Sequence, residues 1–201
     1  MRNYYIIKVE KIVNDLIMIS EKLKLDDIDK QIISLVQEDP SLTHTEIATK
    51  INRSQPTVGM RIKKLEKNGI LQFQPGINFK KVDLNLATVE IKTKNPEEIM
   101  DMAKHCPFML NAFKLSGEHN ICILLASSKL PKLDNIVNYH FRNNPQISNV
   151  SMEIVLDIAK DFVLPIDFDS EEHNPTLENG CGEACKYKIA KAKGLVKSTS
   201  N

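Results

Sequence analysis

Two periods of apolar residues divide this chain. Up to about Gly69 they recur at helical spacing; from about Leu84 to Leu156 most alternate with polar ones, as in strands half-buried in a sheet. The first stripe, Val9, Ile12, Val13, Leu16 and Ile19, lies between Lys8, Glu10, Asp15 and Glu21 and predicts an amphipathic helix over about Tyr5 to Leu23. Its apolar face needs cover from its own domain or from a second subunit, and its mixed polar face does not suit a membrane surface. Ile28, Ile32, Ile33 and Val36 predict a second helix from Leu25 to Asp39, with Asp26 or Asp27 at its positive end and Pro40 beyond its stop. Thr43 with Glu46 forms a capping box for a third, which carries Ile47, Ala48 and Ile51.

The fourth helix is written in Ser54 to Gly69, SQPTVGMRIKKLEKNG. Ser54 caps it, Pro56 sits in its first turn, and Gly69 ends it where a left-handed residue is needed. Val58, Ile62 and Leu65 form its buried stripe, while Arg61, Lys63, Lys64 and Lys67 take other faces. With the helix before it and the brief turn Asn52-Arg53, this reads as a helix-turn-helix, in which the start of the second helix meets base edges in the major groove. Ser54, Gln55, Thr57 and Arg61 are then candidates for bases or nearby phosphates, since Gln pairs with adenine and Arg with guanine in a bidentate manner. Thr43, Arg53, Lys63, Lys64, Lys80 and Lys81 complete the expected DNA-binding set, the lysines on phosphate. A surface helix with a solvated basic face is the plainer alternative. Ile70 to Gln74 and Ile77 to Phe79, on either side of Pro75-Gly76, predict a small hairpin wing with positive φ at Gly76.

The second half follows the order β-α-β-β-α-β. Ala87, Val89 and Ile91 mark the first strand. Asn95-Pro96-Glu97-Glu98 starts a helix with Ile99, Met102 and Ala103 inward. Strands from Leu110 to Leu115 and Ile121 to Ala126 flank a turn, and a helix from about Leu130 to Phe141 follows. A last strand alternates Val150, Met152, Ile154 and Leu156. That order is ferredoxin-like. One sheet face lies under the two helices, and the other calls for a partner sheet.

The fold class is therefore α+β, a winged helix-turn-helix followed by a ferredoxin-like effector and oligomerisation domain. Residues 1–24 form the N-terminal helix, 25–82 the DNA-binding domain with its wing and linker, 83–165 the ferredoxin-like domain, and 166–201 a polar tail. The chain has 201 residues, 42% of them hydrophobic, and a formal net charge of +1, so no global field draws it to polyanions. The basicity is local: between Arg53 and Lys81 the only acid is Glu66. No apolar run spans a bilayer, no signal-peptide pattern opens the chain, and four scattered cysteines make no disulfide framework. These features point to a protein of the reducing cytoplasm, without a membrane partner.

The stretches LDDIDKQIISLVQEDPSLTHTEIATKIN and TVGMRIKKLEKNGIL, and the domain order behind them, resemble the Lrp/AsnC family of transcription regulators over about Leu25 to Asp161. The resemblance implies binding of double-stranded DNA as a homodimer or higher oligomer, with a small-molecule effector, often an amino acid, held between subunits. It places effector contacts in the turn between the second and third strands of the ferredoxin-like domain. There the family commonly has Gly-x-x-Asp; this chain has Gly117, Glu118, His119 and Asn120, and Asn lacks the charge that would pair with an ammonium group. The family's usual Leu-Gly before the first of these strands is also replaced, around Val82-Asp83.

The tail is acidic and then Lys-rich, and it encloses Cys181 and Cys185 with His173 upstream. These fall short of the four ligands of a structural zinc site. The expectation is a mobile tail with two free thiols, dispensable for folding, and no metal. Cys106 and Cys122 read as small apolar residues, and His105 and His119 as turn residues. No catalytic grouping or cofactor motif stands out, so the chain reads as no enzyme and calls for no cofactor. Sirohaem decarboxylases share the two-domain fold, and an enzyme of that kind would draw on His119, His140 and Arg142. A nucleoid-architectural protein coating DNA is the other alternative to a sequence-specific regulator.

Overall fold

The computed structural model describes residues 20–196. Of the helix expected over Tyr5 to Leu23 only its last residues, from Ser20, fall inside that range; Val9, Ile12, Val13, Leu16 and Ile19 lie outside it. The chain divides into two compact units, residues up to 73 and from 74 onward.

The first unit holds α1 (Asp27–Glu38), α2 (His44–Lys50) and α3 (Gln55–Lys67). Their apolar stripes meet in one core of Ile32, Val36, Ile47, Ala48, Val58, Ile62, Leu65 and Leu71. Every helix start is capped by a side chain. Asp26 and Asp29 form a capping box on α1, Thr43 and Glu46 another on α2, and Ser54 caps α3. Gly69 takes φ +67°, the left-handed conformation that ends α3.

The second unit is built on β2 (Asn85–Thr93), α4 (Pro96–Ala103), β3 (Met109–Lys114), β4 (Ile121–Ser127), α5 (Leu130–Val137) and β5 (Ile147–Ile154). The sheet is antiparallel with order β3-β4-β2-β5, the ferredoxin-like arrangement. Ala87, Val89 and Ile91 pair with Leu125, Ile123 and Ile121, and all six are fully buried under Ile99, Leu133, Ile136 and Val137. Beyond Val137 the backbone widens into a π turn, Asn138–Arg142, which buries Phe141 and leaves Tyr139 and His140 half-buried. Leu156 was expected in the last strand; β5 ends at Ile154, and Leu156 is 95% exposed.

Two expectations are corrected here. Residues 70–79 do not form a hairpin. β1 (Ile77–Asn78) pairs instead with β6 (Val163–Leu164), so the segment after Gly76 belongs to the second unit. Gly76 has no positive φ. It is needed because a Cβ there would lie 2.5 Å from the carbonyl carbon of Leu164. The boundary near residue 82 accordingly moves to between Phe73 and Gln74.

The tail over residues 166–196, likewise, is not a mobile appendage. It carries α6 (Asp169–Glu172), a 3-10 turn (Gly182–Ala184) and α7 (Lys186–Ala192). Cys185, Tyr187, Ala190 and Val196 are buried in the same core as the sheet and its helices. Polar bonds fix it: Lys132 Nζ donates to His173 O (2.6 Å), Asn135 Nδ2 to Pro175 O (2.9 Å) and Tyr187 Oη to Glu98 Oε1 (3.3 Å). The backbone at Gly180 runs so close to Tyr139 that a Cβ would lie 2.5 Å from its ring.

Candidate nucleic-acid interface

The charge and the exposed polar groups of the first unit converge on α3. Val58, Ile62 and Leu65 face the core, so at 100° per residue the solvent side carries Pro56, Met60, Lys63 and Lys67, flanked by Thr57 and Lys64. Gln55, Lys63, Lys64 and Lys67 are all exposed. Gly59 lets α2 approach: a Cβ there would sit 3.3 Å from His44 Nδ1. The N-terminal turn is ordered by Ser54, whose Oγ accepts from Thr57 N–H at 3.4 Å and lies 2.7 Å from the Thr57 hydroxyl. Both hydroxyls are exposed enough to turn to a second partner, and the helix dipole there favours an anion.

Arg61 differs from the other candidates. Its Nη1 lies 2.7 and 2.6 Å from the two Asp26 oxygens and 2.8 Å from Asp29 Oδ1. Asp29 is 2% exposed. The guanidinium hydrogen-bonded to Asp26 holds that carboxyl below its ordinary value, and the same bonds raise Arg61. Arg61 thus clamps α3 to the capping box of α1, and a base contact would cost it two carboxylate partners. Of the remaining candidates, Thr43 is bonded to Glu46 (Oγ1 to Oε2, 2.7 Å), and Arg53 is exposed with its Nη1 on the carbonyl of Asn52 (2.9 Å). Lys80 and Lys81 lie in the second unit, where Lys80 Nζ donates to Ala159 O at 2.6 Å. The residue missed by charge reasoning is Met60, 67% exposed on the outward side of α3. Projecting the helix opposite its own buried stripe would have found it.

The 117–120 turn has a structural occupation. Asn120 Nδ2 donates to Thr93 O (2.8 Å), and its Oδ1 accepts from Thr93 N–H (3.0 Å), so one amide closes the end of β2 as a backbone pair would. His119 Nδ1 lies 3.3 Å from Glu90 Oε2, and Glu118 lies 3.5 Å from Lys92 Nζ. Gly117 is exposed in the loop. On the sheet face away from the helices, Phe113, Cys122, Glu90 and Ser151 form one row across β3, β4, β2 and β5. Phe113 is 47% exposed there. Phe79, Phe162 and Leu164 cover only the end of this face around Leu86 and Ala126.

His173, Cys181 and Cys185 are not assembled as ligands. The ring nitrogens of His173 face the carbonyls of Asp169 (2.7 Å) and Ala184 (2.9 Å), and among the described residues no group of three or more His, Cys, Asp or Glu could hold a metal. Burial pushes the Cys181 thiol up to about 11 and that of Cys106 to about 12, which marks both as inert apolar groups. Partial burial, with the Lys188 charge nearby, holds His140 down at about 4. Arg142 is tied to Asp134 (3.0 Å) and Asn138 (2.9 Å). Among the described residues no hydrogen bond, ion pair or ring contact joins His119, His140 and Arg142 to one another.

Comparison with known proteins agrees with this geometry. A family model described as winged helix-turn-helix DNA-binding matches residues 25–72. An uncharacterized HTH-type transcriptional regulator of Pyrococcus furiosus is 34% identical over 109 residues, covering 51% of this chain and 72% of the relative. The HTH-type transcriptional regulator LrpA of Pyrococcus horikoshii is 28% identical over 140 residues, 68% of this chain and 99% of that one. Among solved structures, E. coli AsnC superimposes with a TM-score of 0.57 at 18% identity, over 69% of this chain and 97% of its own. The transcriptional regulator NMB0573 from Neisseria meningitidis, solved as a complex with L-Met, gives 0.61 at 22% identity, over 70% and 96%.

Proposed function

Because the chain belongs to the Lrp/AsnC family of helix-turn-helix transcriptional regulators, we propose that it binds double-stranded DNA sequence-specifically as a homodimer and acts in the cytoplasm. The observation that carries the reading is α3: a capped helix whose outward side gathers Lys63, Lys64 and Lys67, with Gln55 exposed in its first turn. Gln55 reads a base edge, the lysines hold phosphate, and Ser54 and Thr57 orient the helix start. Among the described residues no helix is long and apolar enough to cross a membrane.

The sheet face away from the helices, with Phe113 exposed on its edge strand β3, supports self-association, as a sheet face left uncovered on a small domain calls for a partner. A two-fold dimer presents two α3 helices, so the target is a pseudo-palindrome with half-sites about one helical turn, or a multiple, apart. The Neisseria relative binds L-Met. In this chain Asn120 offers a neutral amide already committed to Thr93, so we assign the protein a small-molecule effector that is not held through an ammonium group at residues 117–120.

Selection of duplexes from a random pool by the full-length protein, with light scattering on the complex, tests the reading. Enrichment of a two-fold symmetric site bound by a dimer is the expected outcome. Equal retention of all sequences would indicate an architectural DNA-coating protein, and a stable monomer at micromolar concentration would remove the symmetric target.

A further inference from the structure

Met60 is a large apolar side chain, 67% exposed, at the centre of the outward side of α3. Lys63, Lys64 and Lys67, one and two turns further on, bracket it with positive charge. Among the described residues the first unit's core does not include it: Val58, Ile62 and Leu65 join that core from the opposite side of the helix. Resting on the DNA reading above, we infer that Met60 is a specificity residue which recognises the C5-methyl group of thymine in the major groove.

The chemistry follows from what the groove offers. When lysines on an outward helix face hold the two phosphate walls, the side chain between them points at the groove floor. Of the groups displayed there, all are hydrogen-bond donors or acceptors except the thymine methyl. A thioether has no N–H or O–H to donate and accepts only weakly, so it gains nothing from the polar edges. It does lose exposed apolar surface against a methyl, and its unbranched, polarisable chain adapts to the position of that methyl. Gln55 lies five residues earlier, in the first turn of α3 and about 140° around the helix, so the methyl is read by Met60 apart from the base edge assigned to Gln55.

Replacing thymine by deoxyuridine deletes that methyl and changes nothing else in the pairing. In a duplex selected by the full-length wild type, each thymine is replaced in turn, and affinity is measured for wild type and Met60→Ala. The exposure of Met60 leaves the fold of the variant intact, which a thermal melt verifies. Wild type should lose about fourfold per half-site at one thymine, the worth of one buried methyl. Met60→Ala should bind the thymine and deoxyuridine forms equally, and with a C·G pair at that position 5-methylation of the cytosine should tighten wild type about fourfold and leave the variant unchanged. Identical deoxyuridine profiles for the two proteins overturn the inference while leaving DNA binding in place. A protein that selects no duplex at all overturns both.

Discussion

Replacing Arg61 separates a reader of DNA from a clamp of the fold. Arg61→Ala leaves Asp29, 2% exposed, without its cation. Stranding one partner of a fully buried ion pair costs ~3–5 kcal/mol, while an exposed pair is worth ~0–1 kcal/mol. Arg61 is 26% exposed and Asp26 54%, so the clamp lies between these cases, and the expected cost is about 2–3 kcal/mol. For a unit of this size that lowers its melting temperature by about 10–20 °C. Arg61→Lys should recover part of the loss, since its ammonium must be placed where Arg61 Nη1 alone contacts all three carboxylate oxygens. The assay is thermal unfolding of the full chain with hydrogen exchange read separately in α1 and α3, repeated as a cycle with Asp29→Asn. Exchange should quicken in both helices, with a coupling of at least about 1 kcal/mol. An Arg61→Ala protein that melts like wild type and instead changes its preference at one base would show the clamp to be incidental.

Other parts of the account are open to equally direct checks. Tyr187→Ala removes a buried ring from the core shared by sheet and tail and should cost ~3 kcal/mol; cleavage after Pro165 should cost at least as much, and a truncated chain as stable as the whole would return the tail to an appendage. Gly76→Ala drives a Cβ into the Leu164 backbone and should open the β1–β6 pair at a cost of ~1–3 kcal/mol, visible as lost amide protection at Phe79, whose N–H donates to Phe162 O; unchanged protection would contradict the pairing. His140 is held at about 4 against 6.5 when unfolded, so its neutral form contributes stability above pH 6.5 that is lost as pH falls toward 4, up to ~3 kcal/mol; His140→Gln should flatten that part of the pH profile.

What could be read without the structure was whatever the chain decides within a few residues. Thr43 with Glu46, Ser54 with its turn and Gly69 at its stop are local bargains between a side chain and the nearest backbone, and each helix forms where they place it. The alternating core of β2 was legible because each residue's side of the sheet follows from parity. The errors lie where a distant partner decides. Gly76 looked like a turn because Pro-Gly usually is one, yet its constraint is the backbone of Leu164. Arg61 remains a proposed reader, but its bonds to two carboxylates 32 and 35 residues away could not be read from local spacing. The tail helix offers only Tyr187 and Ala190 to the core, too short a stripe to stand out, and it folds because the unit beneath has room for them. Met60 was passed over because apolar exposure carries no charge.

The central claim is that α3 reads DNA, and the most direct measurement is the affinity of full-length wild type, Gln55→Ala and Lys64→Ala for a panel of single-base variants of the selected duplex across a salt series. Gln55→Ala should lose ~1–3 kcal/mol against the base it reads and little against its variants. Lys64→Ala should weaken every duplex alike and reduce the salt slope by about one counterion. If both variants match wild type in affinity, base preference and salt slope, this helix does not read DNA.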